Sequence, residues 1–435
     1  MQTYSEMVDS ELTYLGMIPR SWRLTPASML FNENRQNNQP LISQTPLQFK
    51  TGNIVRKNID VDDKLREEIK RYTVVDKNDI MVNGLNLNYD FATQRVALVG
   101  ERGCITPAYI ALRTRKNYLP RYANYLLKAL DGQKVLNGWG TGIRLTLNFT
   151  EFKKYRLPEP NTETQEKIAD FLDTETAQID NLIAKQERLL ELLEEKRRAT
   201  ITHSVTRGLN PSVELKETNI PWLGQIPAHW GFERNKYRLS INKGLNITKA
   251  DLIEKGVPVI SYGQVHSKYP VHFDPKTDIL PFVPESYLKI ENAIMRKGDF
   301  IFADTSEDYE GSGNFSMLKT DSTVLAGYHS IVARLTSEEV VPEYQAYYFA
   351  SEQHRNQIRA RVSGVKVFSI SQSIIANAWS LLPPKKKQED IAQFLDIQEQ
   401  KTKELKQKIQ TQITLLRERR TSLISHAVTG KVRVD

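Results

Sequence analysis

Two stretches of this chain repeat each other. Gln165-Glu166-x-Ile168-Ala169-x-Phe171-Leu172-Asp173 returns as Gln388-Glu389-x-Ile391-Ala392-x-Phe394-Leu395-Asp396. Its far end, Ile201-x-His203-x-Val205-Thr206, returns as Ile424-x-His426-x-Val428-Thr429 at the same offset. No gap opens between the two ends, so a length is being held. Thr162-x-x-Gln165 has the form of a capping box, and Pro158 and Pro160 stop an earlier helix from running in. Apolar residues then recur at three-four spacing: Ile168, Leu172, Ile179, Leu182, Leu189 and Leu193 in the first copy. The second copy has Ile391, Leu395, Leu405, Ile409, Leu416 and Leu423. A narrow apolar seam with charge elsewhere predicts a coiled coil. Glu175, Gln186, Gln398, Thr402 and Gln412 interrupt the seams and can fix register. No Gly or Pro interrupts either stretch before Gly208 and Gly430, so each helix spans roughly 60 Å. A single-seam helix of that length needs a partner, and the other copy supplies one.

The repeat extends beyond the helices. Leu15-Gly-x-Ile18-Pro-x-x-Trp22 matches Leu223-Gly-x-Ile226-Pro-x-x-Trp230, a turn pinned by aromatics that plugs a domain end. The strand-like run Leu47–Ile54, with Gly52-Asn53, matches Val257–Val265, with Gly263-Gln264. Lys77-Asn-Asp79-Ile80 matches Lys297-Gly-Asp299-Phe300, and Tyr109–Arg113 matches Ser330–Arg334. Pro120-x-Tyr122-x-x-Tyr125 matches Pro342-x-Tyr344-x-x-Tyr347, and Gly142-Ile-Arg144 matches Gly364-Val-Lys366. The offset climbs through the globular part and then holds constant. This is a tandem duplication whose loops have diverged while its helices kept their length. A repeat this long is two domain-sized units and not a solenoid.

The expected fold is α+β: two tandem α+β domains joined by two long antiparallel coiled-coil helices, with a pseudo-twofold axis. The expected boundaries are a first domain over 1–160, a first spacer helix over 161–208, a second domain over 209–384, and a second helix with a tail over 385–435. Antiparallel rods would set two readers at opposite ends. That suits a linear target with two half-sites, which on DNA lie about 34–36 Å apart for one turn.

Composition permits this reading. The 435 residues are 40% hydrophobic and 26% charged, as in a soluble globular protein, and the net charge of +8 allows a polyanion partner. Cys104 is the single cysteine, which excludes a disulfide framework. No apolar run reaches membrane-span length and no signal peptide is legible, so a cytoplasmic location is expected.

The paired Leu-Gly-x-Ile-Pro-x-x-Trp openings, the paired Gln-Glu-x-Ile-Ala-x-Phe-Leu-Asp starts and the paired helix ends resemble the DNA-specificity (S) subunit of type I restriction-modification systems. The resemblance runs over essentially the whole chain. It implies two target-recognition domains near 25–157 and 233–381, with the helices as spacers. It implies no catalysis and no cofactor in this chain. The partners implied are double-stranded DNA, two modification (methyltransferase) subunits and two restriction (motor-nuclease) subunits, with no membrane.

Catalytic alternatives find little support. Asn210-Pro211-Ser212 and Leu382-Pro383-Pro384-Lys385 are not a methyltransferase motif, and no phosphate-binding loop exists. Glu68-x-Lys70 near Asp62 reads as a solvated helical face. His203 and His426 match as helix-end residues, and no metal constellation is visible. A protein-protein adaptor without a nucleic-acid role, or a nuclease or methyltransferase with an unrecognised site, stays as the alternative.

Base readout needs Arg or Lys for guanine and Asn or Gln for adenine. In the first domain the candidates are Lys50, Asn53, Arg56, Asn83, Asn86, Gln94, Arg95 and Arg144. In the second they are Lys249, Tyr262, Gln264, His266, Lys268 and Lys366. The matched pairs Asn53/Gln264 and Arg144/Lys366 carry most weight. The acidic loop Asp304–Glu310 suits DNA only where it accepts from cytosine amino groups.

Overall fold

The computed structural model describes residues 3–50, 52–59, 62–88, 94–267 and 271–434. The chain divides into two compact units. One is Met1–Glu187 with Gln410–Asp435, and the other is Arg188–Ile409. Each long helix therefore contributes its two ends to different units.

Both units are α+β and are built on one plan. In unit 1 the main sheet runs in the order Phe31–Glu33, Ile110–Thr114, Ile80–Val82, Val96–Leu98, all antiparallel. In unit 2 the order is Leu239–Lys243, Ser330–Leu335, Phe300–Ala303, Phe315–Leu318, with Val271–Phe273 added in parallel at the edge. The central strands Ile80–Val82 and Phe300–Ala303 are buried throughout, which explains their unbroken apolar runs. A helix follows in each unit, Pro120–Gly132 and Pro342–Ala350, each with proline in its first turn.

The sequence matches become matching contacts. Arg113 holds the buried Asp79 through Nε and a terminal nitrogen, both at 2.8 Å, and Arg334 holds Asp299 at 2.9 and 2.6 Å. Gln165 accepts from the Leu119 amide at 2.8 Å and donates to the Pro160 carbonyl at 2.8 Å. Gln388 does the same with Val341 and Pro383, at 2.8 Å each. Tyr125 donates to Asp173 at 2.7 Å, and Tyr347 to Asp396 at 2.6 Å. Tyr122 reaches the Val428 carbonyl at 3.1 Å, and Tyr344 the Val205 carbonyl at 3.2 Å. Each unit thus grips the start of one long helix and the end of the other.

The aromatic turns close those helix ends. A Cβ on Gly430 would lie 2.3 Å from Pro19 and 3.1 Å from Trp22, and one on Gly208 would lie 3.3 Å from Trp230. Both glycines have positive φ, as a residue ending a helix in the left-handed region requires.

The long helices span Thr162–Arg207 and Lys385–Val428. Within unit 1, Arg420 pairs with Asp180 at 2.8 Å and Arg417 with Glu187 at 2.9 Å. Within unit 2, Lys406 pairs with Glu194, and Arg197 with Glu399 at 2.8 Å. Partner numbers fall as the first helix advances, so the pairing is antiparallel in each unit.

Two details differ from the sequence reading. The first helix is capped by Asn161, whose side chain accepts from the Thr164 amide at 2.8 Å, while the Gln165 side chain turns into the domain. Leu182 and Leu405 are 47% and 42% exposed, and Leu189 is exposed as well. Ile183, Leu190 and Lys406 take the half-buried positions instead. An ideal straight α-helix drifts against a strict heptad, and here the covered stripe lies one residue from the heptad reading. The covered stripe therefore mixes apolar residues such as Ile183 and Leu190 with polar ones such as Gln186 and Lys406.

Candidate nucleic-acid interface

Unit 1 gathers its sequence-predicted residues into two corners. Leu47–Ile54 is not one strand but a hairpin, Leu47–Lys50 against Asn53–Arg56, in which Lys50 pairs with Asn53. Gly52 takes φ +74° at the turn, and a Cβ there would lie 2.1 Å from Gln94 Oε1. Lys50, Asn53 and Gln94 are all exposed, so one corner presents a cation and two amide side chains. Arg56 points elsewhere. It donates to Glu101 at 2.8 Å, and this bond raises the arginine pKa and lowers that of Glu101.

The second corner joins Asn83, Asn86 and Arg144. Thr141 and Thr146 exchange amide bonds at 3.1 and 2.9 Å, making a finger that carries Arg144. The Asn83–Asn88 loop packs along it. Leu87 donates to the Leu145 carbonyl at 3.1 Å, and Asn88 Nδ2 to the Ile143 carbonyl at 3.0 Å. Asn86 is exposed and has φ +51°, a conformation asparagine tolerates better than most residues.

Arg95 has a different place from the one its sequence context suggests. It is 1% exposed and donates to the carbonyls of Asn83 at 3.2 Å and Leu85 at 2.7 Å. Its donors serve the loop that carries Asn83 and Asn86, so in this conformation it supports the surface from beneath. A buried arginine inside a polar loop gives no sequence signal that distinguishes it from an exposed one.

Unit 2 departs further. The counterpart of the hairpin is a strand, Val257–Ile260, followed by a short helix, Tyr262–Ser267. Asn53 and Gln264 are aligned in sequence but sit on different structures. Gln264 accepts from the Ser261 amide at 3.0 Å, and Tyr262 lies edge-on to Tyr328 and His329. The side chain of His266 and all of Lys268 lie outside the described residues. Lys249 is exposed on a turn capped by Thr248 and Asp251.

The Arg144/Lys366 match, by contrast, holds in structure. Lys366 is exposed on a finger closed by Ser369 donating to the Ser363 carbonyl at 3.0 Å. The finger joins the body where Phe368–Ser369 pairs with Thr305–Ser306. The acidic loop is held by cations that sequence reasoning did not single out. Arg359 meets Glu310 at 2.8 Å and Glu352 at 2.9 Å, and Arg355 donates to the Glu310 carbonyl at 2.7 Å. Burial pushes the Arg355 pKa down to about 10. Among the described residues, no group of three or more His, Cys, Asp and Glu side chains could hold a metal, and no helix is long and apolar enough to cross a membrane.

A family model described as the type I restriction modification DNA specificity domain matches residues 43–192 and 238–415, more than half of the chain. The chain belongs to this family. It carries the DNA specificity domain twice, once for each copy of the sequence repeat. It is 27% identical over 253 residues to the type I restriction enzyme EcoKI specificity subunit of Escherichia coli (strain K12). That stretch is 56% of this chain and 51% of the relative. It is 22% identical over 294 residues to the StySPI specificity subunit of Salmonella potsdam, 66% of this chain and 60% of that one. The matches therefore span only about half to three fifths of those relatives.

Solved structures show the same fold. A chain from work on complex assembly and conformational transition of the type I R-M system matches with a TM-score of 0.72 at 14% identity, over 95% of this chain and 99% of that one. The HsdS subunit from Thermoanaerobacter tengcongensis matches with a TM-score of 0.53 at 14% identity, over 95% and 98%.

Proposed function

We propose that this chain is the non-catalytic specificity subunit of a type I restriction-modification enzyme. It reads a bipartite, asymmetric DNA target, one half-site for each specificity domain. Residues 1–160 and 209–384 serve as the two readers, and 161–208 and 385–435 as the rods that space them. Lys50, Asn53, Gln94, Asn83, Asn86 and Arg144 form the reading surface of the first. Lys249, Tyr262, Gln264, His266, Lys268 and Lys366 supply that of the second. The subunit docks two modification (methyltransferase) and two restriction (motor-nuclease) subunits in the cytoplasm.

One observation carries this reading. The same frame is built twice, through Arg113–Asp79 and Arg334–Asp299, while the exposed polar corners on the two frames differ. A shared scaffold with different surfaces is what reading two unlike half-sites requires. Base contacts would specify each half-site and surface cations would position it.

The test is to express the chain with its methyltransferase partner and sequence the methylated sites. The expected motif has two defined parts separated by a fixed gap. Lengthening both rods equally should change the gap and leave both parts unchanged. A motif with one part only, or a gap indifferent to rod length, would sink the reading. Duplex binding with a flat salt dependence would favour an adaptor instead, because phosphate contacts give a steep slope.

A further inference from the structure

The tips of the two matched fingers carry residues that turn chemistry does not ask for. Tight reversals in water favour Gly, Asn, Asp and Ser, which suit unusual backbone angles and bond locally. Here Gly142 is followed by Ile143 and Gly364 by Val365, and these side chains are 95% and 94% exposed. Among the described residues, no large apolar side chain is more exposed than these two. They occupy matching positions in separate units, and each is followed by an exposed cation, Arg144 or Lys366.

Both tips are held in shape. In unit 1, Leu145 donates to the Gly142 carbonyl at 3.1 Å, and Asn88 fixes the Ile143 carbonyl from the side. In unit 2 the finger is closed at Ser363 and Ser369, and a Cβ on Gly364 would lie 1.9 Å from the Val367 carbonyl oxygen. An aliphatic side chain projected on a braced tip loses no packing when it is covered. Whatever covers it gains the full effect of removing apolar surface from water.

We infer that each tip enters a groove of duplex DNA, where Ile143 and Val365 make apolar contact with the bases and Arg144 and Lys366 meet the flanking phosphates. This rests on the DNA reading proposed above. A groove offers a branched aliphatic chain two apolar surfaces. One is the C5 methyl of thymine at the edge of the major groove. The other is the face of a base exposed when a step is partly opened, as apolar wedges do in the minor groove. Both are the same chemistry, an aliphatic group against an apolar part of a base. The adjacent cation would hold the tip against the backbone in either case.

The test uses the full chain and a duplex carrying its target as mapped by methylation sequencing. Ile143→Ser and Val365→Ser remove the apolar group from positions whose exposure leaves folding untouched. Each should weaken target binding by about tenfold, the effect of returning a branched side chain to water. Affinity for random duplex and the salt dependence should stay as in the wild type, because no charge is lost. Arg144→Gln should instead lower the salt slope by about one and weaken all duplexes alike. Two further arms separate the surfaces touched. Loss reproduced by replacing one thymine with uracil identifies a methyl contact. Brightening of 2-aminopurine by wild type but not by the Ser variant identifies an opened step. Either result supports the proposal. Ser variants that bind the target as tightly as wild type would overturn it and leave the DNA reading standing. A wild-type chain that does not distinguish its target from random duplex would overturn the DNA reading itself, and this inference with it.

Discussion

Arg334 grips the Asp299 carboxylate with two nitrogens, at 2.9 and 2.6 Å, and among the described residues one further donor, the Arg296 amide at 2.7 Å, reaches that carboxylate. Asp79 in the other unit is better supplied. Besides Arg113 it accepts from Asn34 Nδ2 and from the Asp76 amide, both at 2.9 Å. Both aspartates are almost fully buried. Arg334→Met should therefore destabilise its unit by about 3 kcal/mol, the range for stranding one partner of a buried ion pair. Arg113→Met should cost less, about 2 kcal/mol, because two donors remain. Urea unfolding followed in each variant checks the order, and equal losses would show that the extra donors contribute nothing.

Gln165 is fully buried and makes three bonds that join the start of the first long helix to its domain, with the Leu119 amide and the Pro160 and Asn117 carbonyls. Gln165→Leu keeps the volume and strands all three groups. A loss of about 2–3 kcal/mol is expected in the same unfolding measurement. Gln165→Glu should be comparably costly, since a carboxylate cannot donate to either carbonyl.

The two helix-ending glycines should differ in their tolerance of alanine. Both lie at positive φ, so each substitution carries strain of about 1 kcal/mol. Gly430→Ala also drives a methyl into Pro19 at 2.3 Å, whereas Gly208→Ala meets only Trp230 at 3.3 Å. The expected result is a drop in melting temperature at Gly430 at least twice that at Gly208.

His354 is fully buried beside Phe349, at 4.6 Å between ring centres, and burial lowers its pKa to about 3. The unfolded imidazole titrates near 6.5. Below that pH the unfolded chain takes a proton that the folded chain refuses. The stability linked to this group is thus complete above about pH 6.5 and is lost as pH falls toward 3. Between pH 7 and pH 5 the wild type should lose about 2 kcal/mol more than His354→Leu. Parallel losses in the two proteins would mean that His354 takes up its proton alike in the folded and unfolded chains.

Lys50, on the proposed reading surface, and Arg56, off it, lie at the two ends of one hairpin and differ in charge pairing. Arg56 is neutralised by Glu101, whereas Lys50 is exposed. Lys50→Gln should lower the salt slope of duplex binding by about one, and Arg56→Gln by clearly less. Titration at several salt concentrations decides between them.

The repeat makes the frame legible in the sequence. Asp79 and Asp299, Arg113 and Arg334, and Gln165 and Gln388 stood at matching places in the chain, and each pair performs one task in both units. Buried polar groups have few ways to be satisfied, so a duplicated sequence pattern implies a duplicated contact. Surface residues carry no such constraint. Asn53 and Gln264 align yet stand on a hairpin and a short helix, and Arg95 looks like its exposed neighbours while spending its donors on buried carbonyls.

Sequence alone settled the duplication, the two long helices, the α+β class and the family, because helix length and apolar spacing are local properties written along the chain. Only the tertiary structure decided which face of each helix is covered, since a drift of a fraction of a residue per turn separates Leu182 from Ile183. It alone also decided which polar side chains reach water. That depends on what packs beneath a loop, and the packing partners lie far away in the chain, as Arg113 lies from Asp79 and Asn83 from Arg144.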